Sequence, residues 1–511
     1  MHKGRTFCAG LGLLALACGG RDDRTEIAPS LLEPVALEHQ LAFVDRAGGR
    51  ALLVDVAAAS PDPVVAELPP GAVRALRRPT QDELLVLCQG TPDSGGDAPA
   101  ALAVIGASGE TTSYVLGSRF DNLAVSEDGR YAVAYFSEEA GPQQDFLFNP
   151  NEIAIIDLGA PPAARNPSAR TLESAGQTLR QVVFSPEMMI AGEARRLAVA
   201  RFDSMLAIMD LGHLDRPAVT VSPNINPLFE EALFAPEQAK IYVRGRASNE
   251  VYVLQFLESD GTRINDFTVS LNQLGAGRPP ADMAVIGAAD SERLLVAAGN
   301  ALVIDADSNR VTELPLGASA DSVLLFEGEA PLDPEVEQRA LLYARQGSEL
   351  TFLDLDRVEE RTTRNLERIS LHQTFRELVR IDEHLVLLLY SGSGLGLLDL
   401  EERTVAPISA SITLDGAVAD PALDRLWVAP PNQPRLGFLD LNTFHPSDLR
   451  LNAPIQKLFS FSHLDAPRIA ITHPSSLGHV TLLDARDPRA FSRAVSLYGF
   501  VYSGTFDQGE E

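Results

Sequence analysis

Three histidines near the C-terminus have the residue type and spacing that a metal site would need. His473 and His479 flank the sequence PSSLG, which has the composition of a hairpin loop, so their rings could face each other. His463 lies in the preceding loop, between the first and second strands of the same unit, and is expected at the opposite end of these strands. Two imidazoles without a third ligand make an incomplete zinc site. We therefore expect turn and surface histidines, and no bound metal.

Other patterns that carry chemistry are absent or have a simpler interpretation. The sequence has no GxSxG, no HExxH, no P-loop and no paired CxxC. The segment DADSNR at 305–310 has the acidic spacing of a calcium loop, but it lacks the glycine and the distal glutamate of that motif. A hairpin turn explains it better, and we expect no cofactor. Cys88, inside the apolar run ELLVLCQG, is expected to be a buried structural thiol.

Two long polar insertions are the best candidates for a recognition surface. They span 89–99 and 137–152, and the second contains two aromatic residues among amides. Aromatic rings with nearby amides can form a binding patch, although both rings could instead pack against the rim of their own structural unit. The candidate ligand-binding residues are Phe146, Phe148, Gln143, Gln144 and Asn149.

The elements that would position these residues follow from a repeated phrase. Apolar runs such as NEIAIIDLG at 151–159 and MLAIMDLG at 205–212 recur at intervals of 41 to 53 residues. Ten such runs can be aligned, with their closing positions at Asp55, Gly106, Asp157, Asp210, Gln255, Asp305, Asp354, Asp399, Asp440 and Asp484. Self-similarity at this period is typical of solenoids and propellers.

The content of each unit favours a propeller. Residues 283–317 contain four short apolar runs separated by Asp-Ser-Glu, Gly-Asn and Asp-Ser-Asn, which is the pattern of strands joined by hairpins. We therefore predict an all-β fold, a β-propeller of about ten four-stranded antiparallel blades. The closing aspartate is predicted to end the third strand and to accept hydrogen bonds from the N–H groups of the following turn.

The stretch RLLVAAGNALVIDADSNRVTELPLG resembles the YVTN-type β-propeller repeat, a member of the WD40-like superfamily. The resemblance extends at blade level over about residues 35–505. It implies the fold and no particular activity, since propellers serve many unrelated functions.

The ends of the chain predict how the ring closes. LAFVDR, ALLVDV and PVVAEL provide three strands for the first unit, whose inner strand is missing, and YGFVYSGTF at 498–506 is a spare strand after the tenth unit. Pairing the two ends would remove exposed sheet edges. This favours one ring closed by the N- and C-terminal strands; two smaller tandem rings are the alternative.

The N-terminus predicts where the protein resides. Lys3 and Arg5 precede an apolar run that is too short to span a bilayer and fits an export signal. LALAC at 14–18 resembles a bacterial lipobox, which implies that Cys18 is lipidated. An ordinary secretory signal is the alternative. We predict a signal peptide at 1–17, a tether at 18–34 and a propeller at 35–511. The localisation expected is the bacterial cell envelope, at the outer membrane on its periplasmic or surface side.

Net charge limits the partners. A formal charge of −28 repels nucleic acid and anionic lipid heads, so membrane contact is expected only through the lipid. The leading hypothesis is a non-catalytic envelope module that binds a protein, peptide or glycan. A quinoprotein- or lyase-like enzyme with its site in the central channel is the alternative, and a structural subunit of an envelope assembly is a third.

Overall fold

The computed structural model describes residues 29–59, 61–91, 98–137, 149–174, 176–223, 227–257, 264–271, 278–287, 292–314, 316–327, 338–356, 366–408, 417–430 and 432–502. Short 3₁₀ turns are the helical elements of these residues, at Pro162–Ala164, Pro421–Leu423, Phe491–Arg493 and Phe500–Tyr502. Within the described ranges, no helix has the length and apolar character needed to cross a bilayer.

Ten four-stranded antiparallel sheets succeed one another along the described residues, and in each the chain order is also the spatial order. Blades 1 to 3 contain β1 Val35–Ala36, β2 Gln40–Asp45, β3 Arg50–Asp55, β4 Val64–Glu67, β5 Ala72–Arg77, β6 Glu83–Cys88, β7 Ala101–Gly106, β8 Thr111–Val115, β9 Asn122–Val125, β10 Tyr131–Tyr135, β11 Glu152–Asp157 and β12 Ser168–Thr171. Blade 4 contains β13 Gln181–Phe184, the small hairpin β14 Met188–Ile190 and β15 Glu193–Arg195, then β16 Leu197–Arg201, β17 Leu206–Asp210 and β18 Val219–Val221.

The remaining six blades repeat the four-stranded pattern. Blades 5 to 7 contain β19 Phe229–Ala235, β20 Lys240–Gly245, β21 Glu250–Phe256, β22 Ile264–Ser270, β23 Asp282–Ile286, β24 Arg293–Ala298, β25 Asn300–Asp305, β26 Val311–Leu314, β27 Ser322–Glu327, β28 Gln338–Tyr343, β29 Glu349–Asp354 and β30 Leu366–Ser370. Blades 8 to 10 contain β31 Phe375–Arg380, β32 Leu385–Tyr390, β33 Leu395–Asp399, β34 Thr404–Ile408, β35 Ala417–Asp420, β36 Arg425–Val428, β37 Arg435–Asp440, β38 Pro446–Arg450, β39 Lys457–Phe461, β40 Arg468–Thr472, β41 His479–Asp484 and β42 Val495–Tyr498.

The buried core joins the blades into one ring. Ten clusters of buried apolar side chains each draw residues from two neighbouring blades, and one of them unites blade 10 with blade 1. Both faces of each sheet are therefore covered, which explains why strands such as β2 and β10 are buried along their whole length. The predicted ten-blade propeller is confirmed as a single ring, and the alternative of two tandem rings is wrong.

The prediction that the C-terminal strand would complete blade 1 is wrong. Val35 and Ala36 pair with Ala42 and Leu41, so blade 1 supplies its own short inner strand. Residues 495–498 form the outer strand of blade 10, and the described chain then turns at 500–502. Residues 503–506 of the predicted strand lie outside the described ranges.

Side-chain packing, and not strand exchange, closes the ring. The Phe500 ring meets the Phe43 ring edge-on, with 4.8 Å between centroids, and Val501 is fully buried in the same cluster. A Cβ added at residue 478 would lie 2.6 Å from Cζ of Phe500, which is too close, and Gly478 has φ +78°. Close approach and backbone conformation therefore both require glycine there.

The closing aspartates act as predicted. In seven of the eight units that have aspartate at this position, Oδ1 accepts a hydrogen bond from an N–H two or three residues later. These residues are Asp55, Asp157, Asp210, Asp305, Asp399, Asp440 and Asp484. Asp354 differs, because its Oδ1 accepts from Arg403 Nη2 at 2.7 Å.

The two faces of the ring are distinguished by their connections. We call the face that carries the connections between second and third strands, such as 202–205 in blade 4 and 246–249 in blade 5, the upper face. The connections from one blade to the next also lie on the upper face, because successive strands alternate in direction. The lower face carries the other two connections of each blade.

Candidate functional site

Blades 4 and 5 bring together four arginines and three carboxylates on the upper face. We call this group the arginine cluster: Arg180, Arg201, Arg244, Arg246, Asp203, Glu230 and Glu231. The residues come from the starts of the inner strands β13 and β19 and from the ends of the second strands β16 and β20. These positions are far apart in the chain, and the ring makes them neighbours.

Arg180 and Asp203 form the most regular pair of the cluster. Nε and Nη2 of Arg180 donate to the two carboxylate oxygens of Asp203 at 2.9 and 3.0 Å. These bonds hold the pKa of Asp203 below its usual value, although partial burial acts in the opposite direction. A bidentate pair of this kind fixes the orientation of the guanidinium and also compensates its charge. The Arg180 guanidinium is therefore held at the edge of the site.

A β-bulge lets two consecutive glutamates reach one arginine. Successive side chains of a regular strand point to opposite faces, but the register of β19 against β20 shifts between Phe229 and Glu231. As a result, Arg244 donates through Nη1 to Glu230 Oε2 at 2.7 Å and through Nε to Glu231 Oε2 at 2.6 Å. Bulges that re-aim side chains are common beside functional sites.

Arg201 makes no hydrogen bond or ion pair with a carboxylate of the described residues, and Arg246 only approaches one at 3.9 Å. Nη1 of Arg201 donates to the backbone oxygen of Phe229, and its Nη2 donates to Gln181 Oε1 at 2.9 Å. Burial lowers the pKa of Arg201; the nearby Glu230 acts in the opposite direction, and Arg244 and Arg180 lower it further. Arginine stays protonated in proteins, so a partly desolvated positive charge stands here without an ionic hydrogen bond.

All members of the arginine cluster except Glu231 line a cavity of about 610 Å³. Arg246 stands at its rim with a side chain 68% exposed, and its Nε is 3.9 Å from Glu230 Oε1. Leu228 also lines the cavity and has φ +51°, a conformation that is strained for a residue with a Cβ. Strain of this kind costs about 1–3 kcal/mol and concentrates at ligand sites. The bulge, the strained leucine and the desolvated arginine all meet at this cavity.

A second cavity, of about 450 Å³, lies on the lower face between blades 4 and 5. Leu197, Ile208 and Phe256 form apolar walls. Its acidic group, Asp210, is a closing aspartate whose Oδ1 accepts from Gly212 N at 3.0 Å and whose Oδ2 lies 3.1 Å from His213 Nδ1. The two arginines that line it, Arg195 and Arg216, both pair with Asp210, at 3.7 and 3.5 Å, and Asp210 itself holds a hairpin turn, which makes this cavity the weaker candidate.

The candidate residues in the insertion of blade 3 are placed only in part. Phe146, Phe148, Gln143 and Gln144 lie outside the described residues, as does Cys18. Asn149 is on the upper face, where its Nδ2 donates to Thr171 Oγ1 at 2.9 Å and its Oδ1 accepts from Asn151 N at 3.1 Å. Its amide therefore stabilises the start of β11.

The three histidines make contacts within blade 10 or to blade 1, and His473, expected in a turn or at the surface, is 3% exposed. The rings of His473 and His479 face each other, as their spacing indicated, with centroids 4.2 Å apart and a tilt of 34°. Nδ1 of His473 lies 2.7 Å from the Pro454 oxygen and Nε2 lies 2.9 Å from Thr481 Oγ1, so both ring nitrogens have partners. His463 lies in the connection on the other side of blade 10, 2.6 Å from the Glu38 oxygen. In the described residues, no group of three metal-ligating side chains is found.

Two further predictions about chemistry are confirmed. Asp305 accepts from Ser308 N at 2.7 Å, so DADSNR forms a hairpin turn. Cys88 is fully buried, and burial raises the pKa of its thiol to about 12, which keeps it protonated and unreactive.

Sequence reasoning missed the arginine cluster. Its signal was present as RFDS at 201–204 and RGRA at 244–247, arginines at the end of the second strand in consecutive units. The pattern predicts a cluster only once it is known that neighbouring blades place the ends of their second strands side by side.

No protein-family model and no curated protein sequence matches the chain. Among solved structures, the dihydro-heme d1 dehydrogenase NirN in complex with DHE aligns with 85% of this chain and 80% of its own, at 12% identity and a TM-score of 0.39. Apo AztD from Citrobacter koseri aligns with 73% of this chain and 95% of its own, at 13% identity and a TM-score of 0.37. The Dos1 propeller aligns with 68% of this chain and 89% of its own, at 11% identity and a TM-score of 0.42. These similarities assign no function to the chain.

Proposed function

We propose that this protein is a lipid-anchored β-propeller of the bacterial cell envelope that binds a protein, peptide or glycan without catalysing a reaction. An acidic group of the ligand enters the cavity of the arginine cluster. Cys18 carries the anchor, at the outer membrane on its periplasmic or surface side, and the upper face is the binding face. No metal or cofactor is part of this function.

The proposal depends mainly on one observation, the lack of a carboxylate partner for Arg201 in the described part of the chain. Burying a charge is costly unless it is paired; Arg201 is half-buried, and among the described residues it hydrogen-bonds only to a backbone oxygen and an amide oxygen. Beside it, Arg246 is exposed and contacts Glu230 only at 3.9 Å. An incoming anion would satisfy both guanidinium groups through charge-assisted hydrogen bonds, which are about twice as strong as neutral ones.

The same geometry favours binding over catalysis. A general base needs a pKa near the working pH. In the arginine cluster each carboxylate is already held by an arginine, and the pKa of Asp203 is lowered. The alternative of a quinoprotein- or lyase-like enzyme would need a different set of residues in the central channel.

The insertion of blade 3 extends the proposed surface. Blade 3 packs directly against blade 4 through a shared buried cluster, and the connection between β10 and β11 starts and ends on the upper face. Phe146 and Phe148 of this connection are proposed as apolar anchors for the same ligand, with polar contacts from Gln143, Gln144 and Asn149. Recognition loops carried by a rigid scaffold are a common arrangement.

Pull-down from detergent-solubilised envelope tests the function. The bait is the full chain, the Arg201→Gln/Arg246→Gln double variant, or Arg450→Gln as the control, since Arg450 is an exposed arginine on the outer strand of blade 9. Loss of hydrogen bonds to a charged group, about 1.5–3 kcal/mol each, corresponds to a 10- to 150-fold weaker complex. We expect the double variant alone to lose the partners. A folded double variant that retains them with unchanged affinity would refute the proposal.

A further inference from the structure

We infer that the group received by the arginine cluster is a single carboxylate, the free C-terminus of a peptide that ends in an apolar residue. This inference rests on the proposed function and narrows its ligand. It follows from the unused N–H groups of Arg201, from the charge count of the site and from the apolar residue beside it.

Arg201 has the geometry of a carboxylate receptor. Each Nη of a guanidinium carries two N–H groups, and each Nη of Arg201 uses one of them, for Phe229 O and for Gln181 Oε1. Nε is buried and makes no hydrogen bond to a described group. One N–H on each Nη therefore remains for a ligand, and a guanidinium with a donor on each Nη can bond to both oxygens of one carboxylate. The contacts of Phe229 and Gln181 also hold the fork in a fixed direction.

The charge of the site favours one negative charge and disfavours two. Four arginines and two carboxylates line the cavity, and Glu231 pairs with one of these arginines, Arg244, so a single positive charge is in excess. A monoanion neutralises it. A second negative charge would approach the side chains of Asp203 and Glu230, which are 35% and 36% exposed at the cavity. Like charges at this range repel, and the net charge of −28 adds no attraction for a polyanion.

The walls of the cavity fit the end of a peptide chain. Leu228 presents a half-buried apolar side chain beside the arginines, and it occupies a strained backbone position to do so. A C-terminal residue combines a carboxylate, a side chain and a backbone N–H within one residue. Glu230 and Asp203 have oxygen lone pairs that can accept from such an N–H. Capture of a terminal carboxylate is an established mode of peptide recognition.

Calorimetric titration with defined peptides tests the inference. The protein is the full chain with Cys18→Ser, which needs no detergent. The probes are acetyl-Gly-Gly-Leu as the free acid, the same peptide as the C-terminal amide, acetyl-Gly-Gly-Glu with two carboxylates, and inorganic phosphate. We expect the free acid to bind at least about tenfold more tightly than the amide. The glutamate peptide and phosphate should bind more weakly than the leucine acid.

Variants locate the binding. Arg201→Lys keeps the charge but loses the two-pronged donor, so it should weaken the free acid at least about tenfold. Arg246→Gln, at an exposed side chain, should weaken it while leaving the fold intact, and Arg450→Gln should have no effect. Equal affinity for acid and amide, or tighter binding of phosphate, would overturn the inference.

The outcomes separate this inference from the proposed function. If the Arg201→Gln/Arg246→Gln variant loses its envelope partners but no free-acid peptide binds the unsubstituted cluster, the carboxylate inference fails and the binding function stands. If the variant keeps its partners, the binding function at this site fails as well.

Discussion

Replacing Phe500 with alanine should open the ring where its two ends meet. Phe500 is 5% exposed, and its ring packs on Phe43 in the cluster that joins blade 10 to blade 1. Truncating a buried phenylalanine costs about 3–5 kcal/mol, because apolar contacts are lost and a cavity remains. Loss at this position affects one of the ten interfaces that hold the ring together.

Part of that cost should depend on Phe43. Edge-on aromatic pairs contribute about 0.5–1.5 kcal/mol beyond their buried area. In a double-mutant cycle, Phe43→Ala and Phe500→Ala should therefore cost less together than the sum of the two single changes, by about this amount. The matched control is Phe491→Ala, because Phe491 is 56% exposed on the same blade and should change stability by less than about 0.5 kcal/mol.

Equilibrium urea denaturation of the full chain measures these differences. Each blade shares its core with both neighbours, so a weaker junction should lower the midpoint of the whole transition. If Phe500→Ala is as stable as Phe491→Ala, or if the two substitutions in the cycle are additive, side-chain packing at residue 500 does not close the ring.

Four other outcomes are expected. Mass spectrometry of the mature N-terminus should find lipid on Cys18; an unmodified peptide across this position would contradict the anchor. Asp305→Ala should lower the free energy of unfolding by about 1 kcal/mol at neutral pH. Hydrogen bonds from Ser308 lower the pKa of Asp305, so this difference should be present above the ordinary value of 3.8 and disappear as the pH falls below it. Burial lowers the pKa of His473 and of His479, so the unfolded chain takes up these protons first and stability should fall as the pH drops below 6.5. His473→Gln should reduce this slope, and an unchanged slope would refute the assignment. Phe146→Ala/Phe148→Ala should lose envelope partners in pull-downs with an unchanged thermal melt, since an aromatic anchor contributes about 2 kcal/mol or more; a lower melting temperature with unchanged partners would show that the rings only pack on the blade.

The blade is a local structure, and the sequence was sufficient to predict it. Antiparallel strands joined by short hairpins place hydrogen-bonding partners close together in the chain. The apolar runs and the turn residues between them therefore predicted ten units of four strands. The closing aspartate was predictable for the same reason, because Asp157 bonds to Gly159, two residues away.

Contacts between distant residues were decided by the ring itself. Whether blade 1 completes itself depends on which segment competes best for the free edge of β2, and Val35–Ala36 occupies it. The spare apolar residues at the C-terminus are used as packing: Phe500 and Val501 fill the junction with side chains. Apolar composition alone does not distinguish a strand from a non-strand segment that packs its side chains into the core, since both bury apolar surface.

The arginine cluster also depends on contacts between residues that are distant in the chain. Arg201 and Arg246 belong to different blades, and the bulge at Glu230 that redirects the glutamates has no local sequence signature. The sequence determined the blades, their number and their turns, because these depend on hydrogen bonds between near neighbours. The tertiary structure decided which side chains share the cavity, because that depends on closing a ring of ten blades and on the register of one inner strand.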